Sequence, residues 1–246
     1  HVVMEEAPEL SASDPAHGPQ LLVLSARTPT ALARSAANLA AHLRADANAN
    51  LADVAWTLGA GRKAFAHRVA VVASDVVDVV ERLESPEIVA AITRGRPARQ
   101  GEAAFLFPGQ GSQYAGMGRA LYASEPVFRD AFDACADILR GELRYDLRDV
   151  VFGDDAEALL PTSVMQPAIF AVEYSLARMW MDCGLRPVAM AGHSVGEFVA
   201  ATLAGVFTLA DALRLVARRG RLMQAQPPGA MLSVRVAAVA VPQRVP

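Results

Sequence analysis

Val188-Ala189-Met190-Ala191-Gly192-His193-Ser194-Val195-Gly196 sets a serine between two glycines, directly after a short apolar run. An apolar strand, a tight glycine turn and a helix-compatible continuation are the context of a nucleophile elbow. In such an elbow the strained turn lifts the Ser194 hydroxyl clear of the backbone. Gly192 and Gly196 leave room where a Cβ would clash. Chance alone gives roughly one G-x-S-x-G match per ten chains of this length, so the strand before and the helix after carry the reading. The backbone N–H of Val195 opens that helix and points toward an anion at the serine. A serine nucleophile needs a base, and no histidine follows His193 in the sequence. His193 adjoins Ser194, but neighbours in a tight elbow project apart. A structural hydrogen bond is therefore its expected role.

Working upstream, residues 103–107 read as a short apolar strand, followed by Pro108-Gly109-Gln110-Gly111-Ser112-Gln113. Open α/β sheets bind ligands at the C-terminal ends of their strands. The glycines beside Gln110 let its backbone come close to one. No Lys-Ser/Thr follows, which excludes a nucleotide P-loop. Ser124 is the expected cap of a helix with Phe128, Phe132, Cys135 and Leu139 on one face. Gln166-Pro167 is expected to open another, with Ile169, Val172, Leu176 and Met179 or Trp180 inward. The elbow helix is expected over 196–204. Downstream, Thr208 and Asp211 form a T-x-x-D capping box for a helix ending near Gln224. Asp211, Arg214, Arg218 and Arg221 make a charged stripe on it. Arg219 is turned about 100° off that stripe. It could clamp a carboxylate bidentately or snorkel at the stripe edge. Alternating strands and helices predict an α/β fold with a parallel sheet and helices on both faces.

The first hundred residues read differently. Residues 5–19 are a Pro/Ala/Ser-rich acidic connector. Residues 20–26 (QLLVLSA) make a buried strand. Thr28-Pro29 opens a helix with Leu32, Ala36, Leu39 and Leu43. Asn50 caps a second helix, residues 68–73 form a strand, and Ser74 or Asp75 starts a third helix. Together these are a small α+β unit, bounded by the Gly/Arg/Pro-rich residues 95–101.

Composition bounds the function. With 53% hydrophobic and 20% charged residues the chain has ample core material. A net charge of −3 leaves no nucleic-acid footprint and no basic membrane face. Cys135 and Cys183 match no metal or redox spacing and are expected as two buried free thiols. Paired carboxylates and metal-ligand clusters are absent, so no metal is expected. His1, His17, His42 and His67 read as surface or boundary residues. No signal peptide or membrane span is present, so a soluble, cytoplasmic protein is expected. The start at His1, without methionine, suggests a piece of a longer polypeptide.

Taken together, residues 105–117 (FLFPGQGSQYAGM), 166–170 (QPAIF), 191–198 (AGHSVGEF), 204–206 (AGV) and 218–220 (RRG) resemble the malonyl-transferase-type acyltransferase domain of modular polyketide and fatty acid synthases. Residues 20–100, above all 50–73, resemble the linker domain that precedes it, and residues 1–8 the exit of a ketosynthase. The resemblance implies an α/β-hydrolase-like fold with a ferredoxin-like subdomain, here largely missing. Ser194 would accept an acyl group from acyl-CoA, with malonyl-CoA the expected donor. It would pass that group to the phosphopantetheine thiol of an acyl carrier protein. Gln110 and Val195 would supply the oxyanion hole, and Arg219 would bind the free carboxylate of the acyl unit. Gly192, His193, Gly196 and Gln166 would support them, with no tightly bound cofactor.

Val195 resembles malonyl-selective members, whereas methylmalonyl-selective ones often carry glutamine there. Residues 161–166 (PTSVMQ) depart from both common patterns. In the family the catalytic histidine lies about a hundred residues past the serine. Residues 229–234 resemble the first strand of the subdomain, and residues 236–246 stop matching. The chain alone is therefore expected to show little or no transfer, and its apolar residues 231–241 to form an unpaired, poorly soluble edge strand. A serine hydrolase, or a docking fragment without chemistry beside the ketosynthase, is the alternative.

Overall fold

Strict alternation builds the first unit. β1 (Gln20–Ala26) pairs antiparallel with β2 (His67–Ala73), Gln20 facing Ala73 and Ala26 facing His67. Leu22, Leu24, Val69 and Val71 turn inward, every second residue as the pleat requires. α1 (Pro29–Ala45) is capped by the Thr28 hydroxyl, which accepts from the Ala31 N–H at 3.1 Å, with proline at the first turn. α2 (Leu51–Ala60) is capped by Asn50, and α3 (Val76–Glu84) by Asp75 rather than Ser74. Leu32, Ala36, Ala40 and Leu43 of α1 meet Val79 and Leu83 of α3 over the sheet. The short α4 (Glu87–Ala90) and β3 (Thr93–Arg94) follow, β3 on the β2 edge.

A computed structural model describes residues 2–6, 13–14, 18–90, 93–94, 102–227 and 229. The chain divides into two units, His1–Gln100 and Gly101–Pro246. Most of the connector, the boundary at 95–101, the strand expected over 231–241 and the tail to 246 lie outside the described residues.

In the second unit β4 (Glu102–Phe107) runs parallel to β5 (Arg186–Gly192), Phe105 facing Met190 and Phe107 facing Gly192. Between them come α5 (Arg119–Ser124), α6 (Pro126–Leu139), α7 (Leu147–Val151) and α8 (Thr162–Asp182). α9 (Val195–Leu203) and α10 (Leu209–Gln224) follow β5. α8 is buried on every side from Met165 to Ser175, the signature of a helix at the centre of a core. α6, α9 and α10 pack around it, and Phe105 and Met190 rest on the same cluster. Among the described residues the helices cover one face of this pair. Leu106 and Val188 on the other are 76% and 65% exposed.

Several local expectations change. Gln166-Pro167 does not open α8: the helix starts at Thr162 and Pro167 lies inside it. Packing overrides the proline, because α10 holds the first turn through the Gln224 side-chain oxygen, which accepts from the Thr162 N–H at 2.6 Å. That approach needs Gly220, where a Cβ would stand 2.9 Å from the Thr162 carbonyl oxygen. Ser124 ends α5 instead of capping α6, whose cap position is Glu125 with Pro126 next. Cys135 is buried, but Cys183 is exposed at the C-terminus of α8. Trp180, at 49% exposure, faces outward. Thr208 caps α10 as expected, while the Asp211 carboxylate accepts from the Thr208 hydroxyl.

No helix among the described residues is long and apolar enough to cross a membrane.

Candidate functional site

The site is built where β4 and β5 end. The strand pairing stops at Phe107 and Gly192, and the His193 N–H then donates to the Phe107 carbonyl at 2.9 Å. The chain must reverse at once into α9, and the cost falls on Ser194. Its φ of 56° and ψ of −111° make it the one positive-φ residue other than glycine among the described residues. Such strain persists only where the surroundings over-determine it. Here the glycines do that. A Cβ on Gly192 would lie 2.1 Å from the Gly196 carbonyl carbon, and one on Gly196 2.4 Å from the Phe107 oxygen. Glu197 braces the turn from α9, its Oε1 accepting from the Gly192 N–H at 3.0 Å.

The Gln110 loop lies against this elbow. A Cβ on Gly109 would come within 2.6 Å of His193 Nδ1, so the close approach itself requires glycine there. Gly111 has φ 109°, a conformation open to glycine, and its N–H donates to Gln113 Oε1 at 2.8 Å. Among the described residues neither the Gln110 N–H nor the Val195 N–H is held by a backbone carbonyl. Val195 is the first residue of α9, where the exposed N–H groups and the helix dipole favour negative charge.

Arg219 completes the arrangement. Its Nη2 donates to Ser194 Oγ at 3.2 Å and its Nη1 to Gln166 Oε1 at 2.6 Å. The guanidinium also stands 5.9 Å over the Phe198 ring. Of the two readings of Arg219, the snorkelling one gives way: it points to the serine with no carboxylate partner among the described residues. Gln166 is 1% exposed, and its Nε2 donates to Met223 Sδ at 3.2 Å. Arg219 and Met223 are four apart on α10, so one amide on α8 spans both. The neighbouring stripe is less free than expected, since Arg221 pairs with Glu142 at 3.1 Å.

Ser194, Val195, Gln110, Arg219, Gln166, His193, Gly192 and Gly196 thus gather at one sheet end. His193 contributes backbone bonds, and the side chain that meets Ser194 Oγ is Arg219. Sequence reading missed Glu197, Phe198 and Met223, and it expected Gly109 to admit a ligand where the structure sets it against His193. Met223 is signalled only by its spacing from Arg219. It also missed Glu173 of α8, whose two carboxylate oxygens are buried without a partner among the described residues. Burial pushes that carboxyl up to about 8, and the Cys135 thiol up to about 12, which makes Cys135 inert.

Residues 104–246 match the acyl transferase domain family. The chain belongs to that family. Residues 20–83 match the C-terminal region of CurL-like polyketide synthases, which places the acyltransferase domain in a polyketide synthase. The phenolphthiocerol synthesis polyketide synthase type I Pks15/1 of Mycobacterium marinum is 45% identical over 249 residues, covering 96% of this chain and 12% of that protein. The solved acyl transferase domain of ZmaA superposes with a TM-score of 0.80 at 39% identity, covering 88% of this chain and 51% of that one. That of SpnD, in complex with 2-(pent-4-yn-1-yl)malonyl, gives a TM-score of 0.73 at 42% identity, covering 85% and 50%. The acyltransferase chain thus spans about half the length of these solved structures.

Proposed function

We propose that the parent protein transfers a malonyl-type acyl group from acyl-CoA to an acyl carrier protein through an ester on Ser194. The observation that carries this is Arg219. A guanidinium without an acidic partner among the described residues stands 3.2 Å from the serine hydroxyl, suited to a substrate that brings its own carboxylate. The malonyl derivative in the SpnD structure agrees with that choice. Ser194 Oγ attacks the thioester carbonyl, and the negative oxygen that forms is met by the N–H groups of Gln110 and Val195. The C–S bond then breaks, and the serine proton, passed through a general base, leaves on the coenzyme A thiol. In the second half the phosphopantetheine thiol attacks the ester and regenerates Ser194. Arg219 cannot serve as the base, because a guanidinium does not accept a proton. On this reading residues 1–19 are a ketosynthase exit and connector, 20–100 a linker domain, and 101–246 the acyltransferase. The adjacent ketosynthase and the carrier protein are the partners.

Incubation with radiolabelled malonyl-CoA, followed by peptide mapping, tests it. We expect slow labelling confined to Ser194 and abolished by Ser194→Ala, with Arg219→Ala removing the preference for malonyl-CoA over acetyl-CoA. Label on another residue, or turnover of simple esters exceeding thioester transfer, would refute it.

A further inference from the structure

Arg219 is held at its edge and also on a face. At the edge its Nη1 donates to Gln166 Oε1 and its Nη2 to Ser194 Oγ, and among the described residues no further hydrogen bond engages it. A guanidinium carries five N–H donors in one plane, so donors remain for a carboxylate. Hydrogen bonding leaves the faces of that plane unused. Phe198 supplies a partner there, with the guanidinium carbon 5.9 Å from the ring centroid. The face of an aromatic ring is electron-rich and attracts a cation without consuming any of its N–H groups.

The elbow itself places that ring. Phe198 lies four residues past Ser194, about one turn along α9, so nucleophile and ring come from the same end of one helix. Phe207, between α9 and α10, stacks on the ring with centroids 6.3 Å apart and planes at 22°. Both phenylalanines pack, half-buried, against the core cluster. An aliphatic side chain would fill the space at 198 equally well, but only an aromatic ring also answers a positive charge. We propose that Phe198 is a positioning residue: braced by Phe207, its ring is a platform that holds the Arg219 guanidinium in the pose that meets a substrate carboxylate. Gln166 sets the edge of the fork and Phe198 its face. Without the platform, each incoming carboxylate would have to order a long, flexible side chain, at a cost in affinity. The inference rests on the carboxylate-binding reading of Arg219.

Two measurements test it in the chain as it stands. Without ligand, a double-mutant cycle of Phe198→Leu and Arg219→Met, read by urea unfolding, should return a favourable coupling between the two positions. With ligand, malonate affinity measured by calorimetry should fall about 2–5-fold in Phe198→Leu and be restored in Phe198→Tyr. Mono-, di- and trifluorophenylalanine placed at 198 draw electron density off the ring face while nearly keeping its shape, and affinity should step down with each fluorine. A ring that only packs would give no such trend. If Arg219→Ala weakens malonate binding but the fluorine series is flat or rising, or the coupling is zero, the platform is overturned and the carboxylate reading stands. No malonate binding, or binding indifferent to Arg219→Ala, would overturn the carboxylate reading and the platform with it.

Discussion

Raising the pH from 5 to 8 should destabilise the second unit, and Glu173 sets the size of the effect. Glu173 is 7% exposed and lines a groove between α8 and β4 together with Ile169 and Val172; its carboxyl has no hydrogen-bond partner among the described residues, and burial raises it from 4.5 to about 8. Below pH 4.5 the group is protonated in both folded and unfolded chains and contributes no difference. Between 4.5 and 8 the unfolded chain ionises while the folded chain holds its proton, so stability declines as pH rises. The slope approaches about 1.4 kcal/mol per pH unit and levels off above the folded value, a total of roughly 4–5 kcal/mol. Trp180 lies on the same groove, and Trp56, the other tryptophan, is in the first unit. Trp56→Phe therefore leaves one fluorescent reporter beside Glu173. Urea unfolding followed by that signal at pH 5, 6.5 and 8 should give steadily falling midpoints in the Trp56→Phe protein. Adding Glu173→Leu should flatten the profile. An equal slope with leucine at 173, or stability that climbs over this range, would refute the reasoning.

Ser194→Gly should stabilise the second unit by about 1 kcal/mol, since glycine relieves a strain of about 1–3 kcal/mol and returns part of it as unfolded-state entropy. Urea midpoints for Gly, Ala and wild type check the order, with Gly highest. Gly192→Ala should cost about 3 kcal/mol or more, because its Cβ would meet the Gly196 backbone at 2.1 Å and backbone cannot yield as a side chain does. The same melts measure it, and a loss under about 1 kcal/mol would contradict the close approach. Arg219→Ala should weaken binding of malonate, measured by calorimetry, by about 10–150-fold, the worth of about 1.5–3 kcal/mol for a charged hydrogen bond. Lysine at 219 should recover only part of it, as a point charge without the fork. Toward acid, the hydrogen bond from Arg148 holds the Asp137 carboxyl below its ordinary value. That contribution is present above the ordinary carboxylate range and fades as pH drops below it.

Elements whose signals are local were legible in the sequence. Thr28-Pro29, Asn50 and Thr208 cap helices through their own side chains, and the alternation of β1 is the same in any context. The elbow was legible too, because Gly192 is demanded by the Gly196 backbone a few residues on, although Gly196 itself answers to Phe107 at the end of β4. What failed depended on distant residues. α8 begins before Pro167 because Gln224, far along the chain, holds Thr162. Ser124 could cap a helix, but a short α5 already ends on it. Periodicity turned Arg219 off the charged stripe without deciding what it touches, since Gln166 and Ser194 reach it from two other elements. Glu173 carries no local mark at all: its burial exists only once α8 is the core of the unit.

The anchor of Arg219 is an amide, and that choice governs electroneutrality at the site. Gln166 offers its oxygen to the guanidinium and its nitrogen to a sulfur, so its orientation is fixed by two unlike neighbours and not by opposite charge. A carboxylate in its place would hold the arginine as firmly while cancelling its charge, leaving a well-placed group with nothing to offer an anion. The clamp is immobilised without being neutralised, and the compensating charge is left for an incoming molecule to supply.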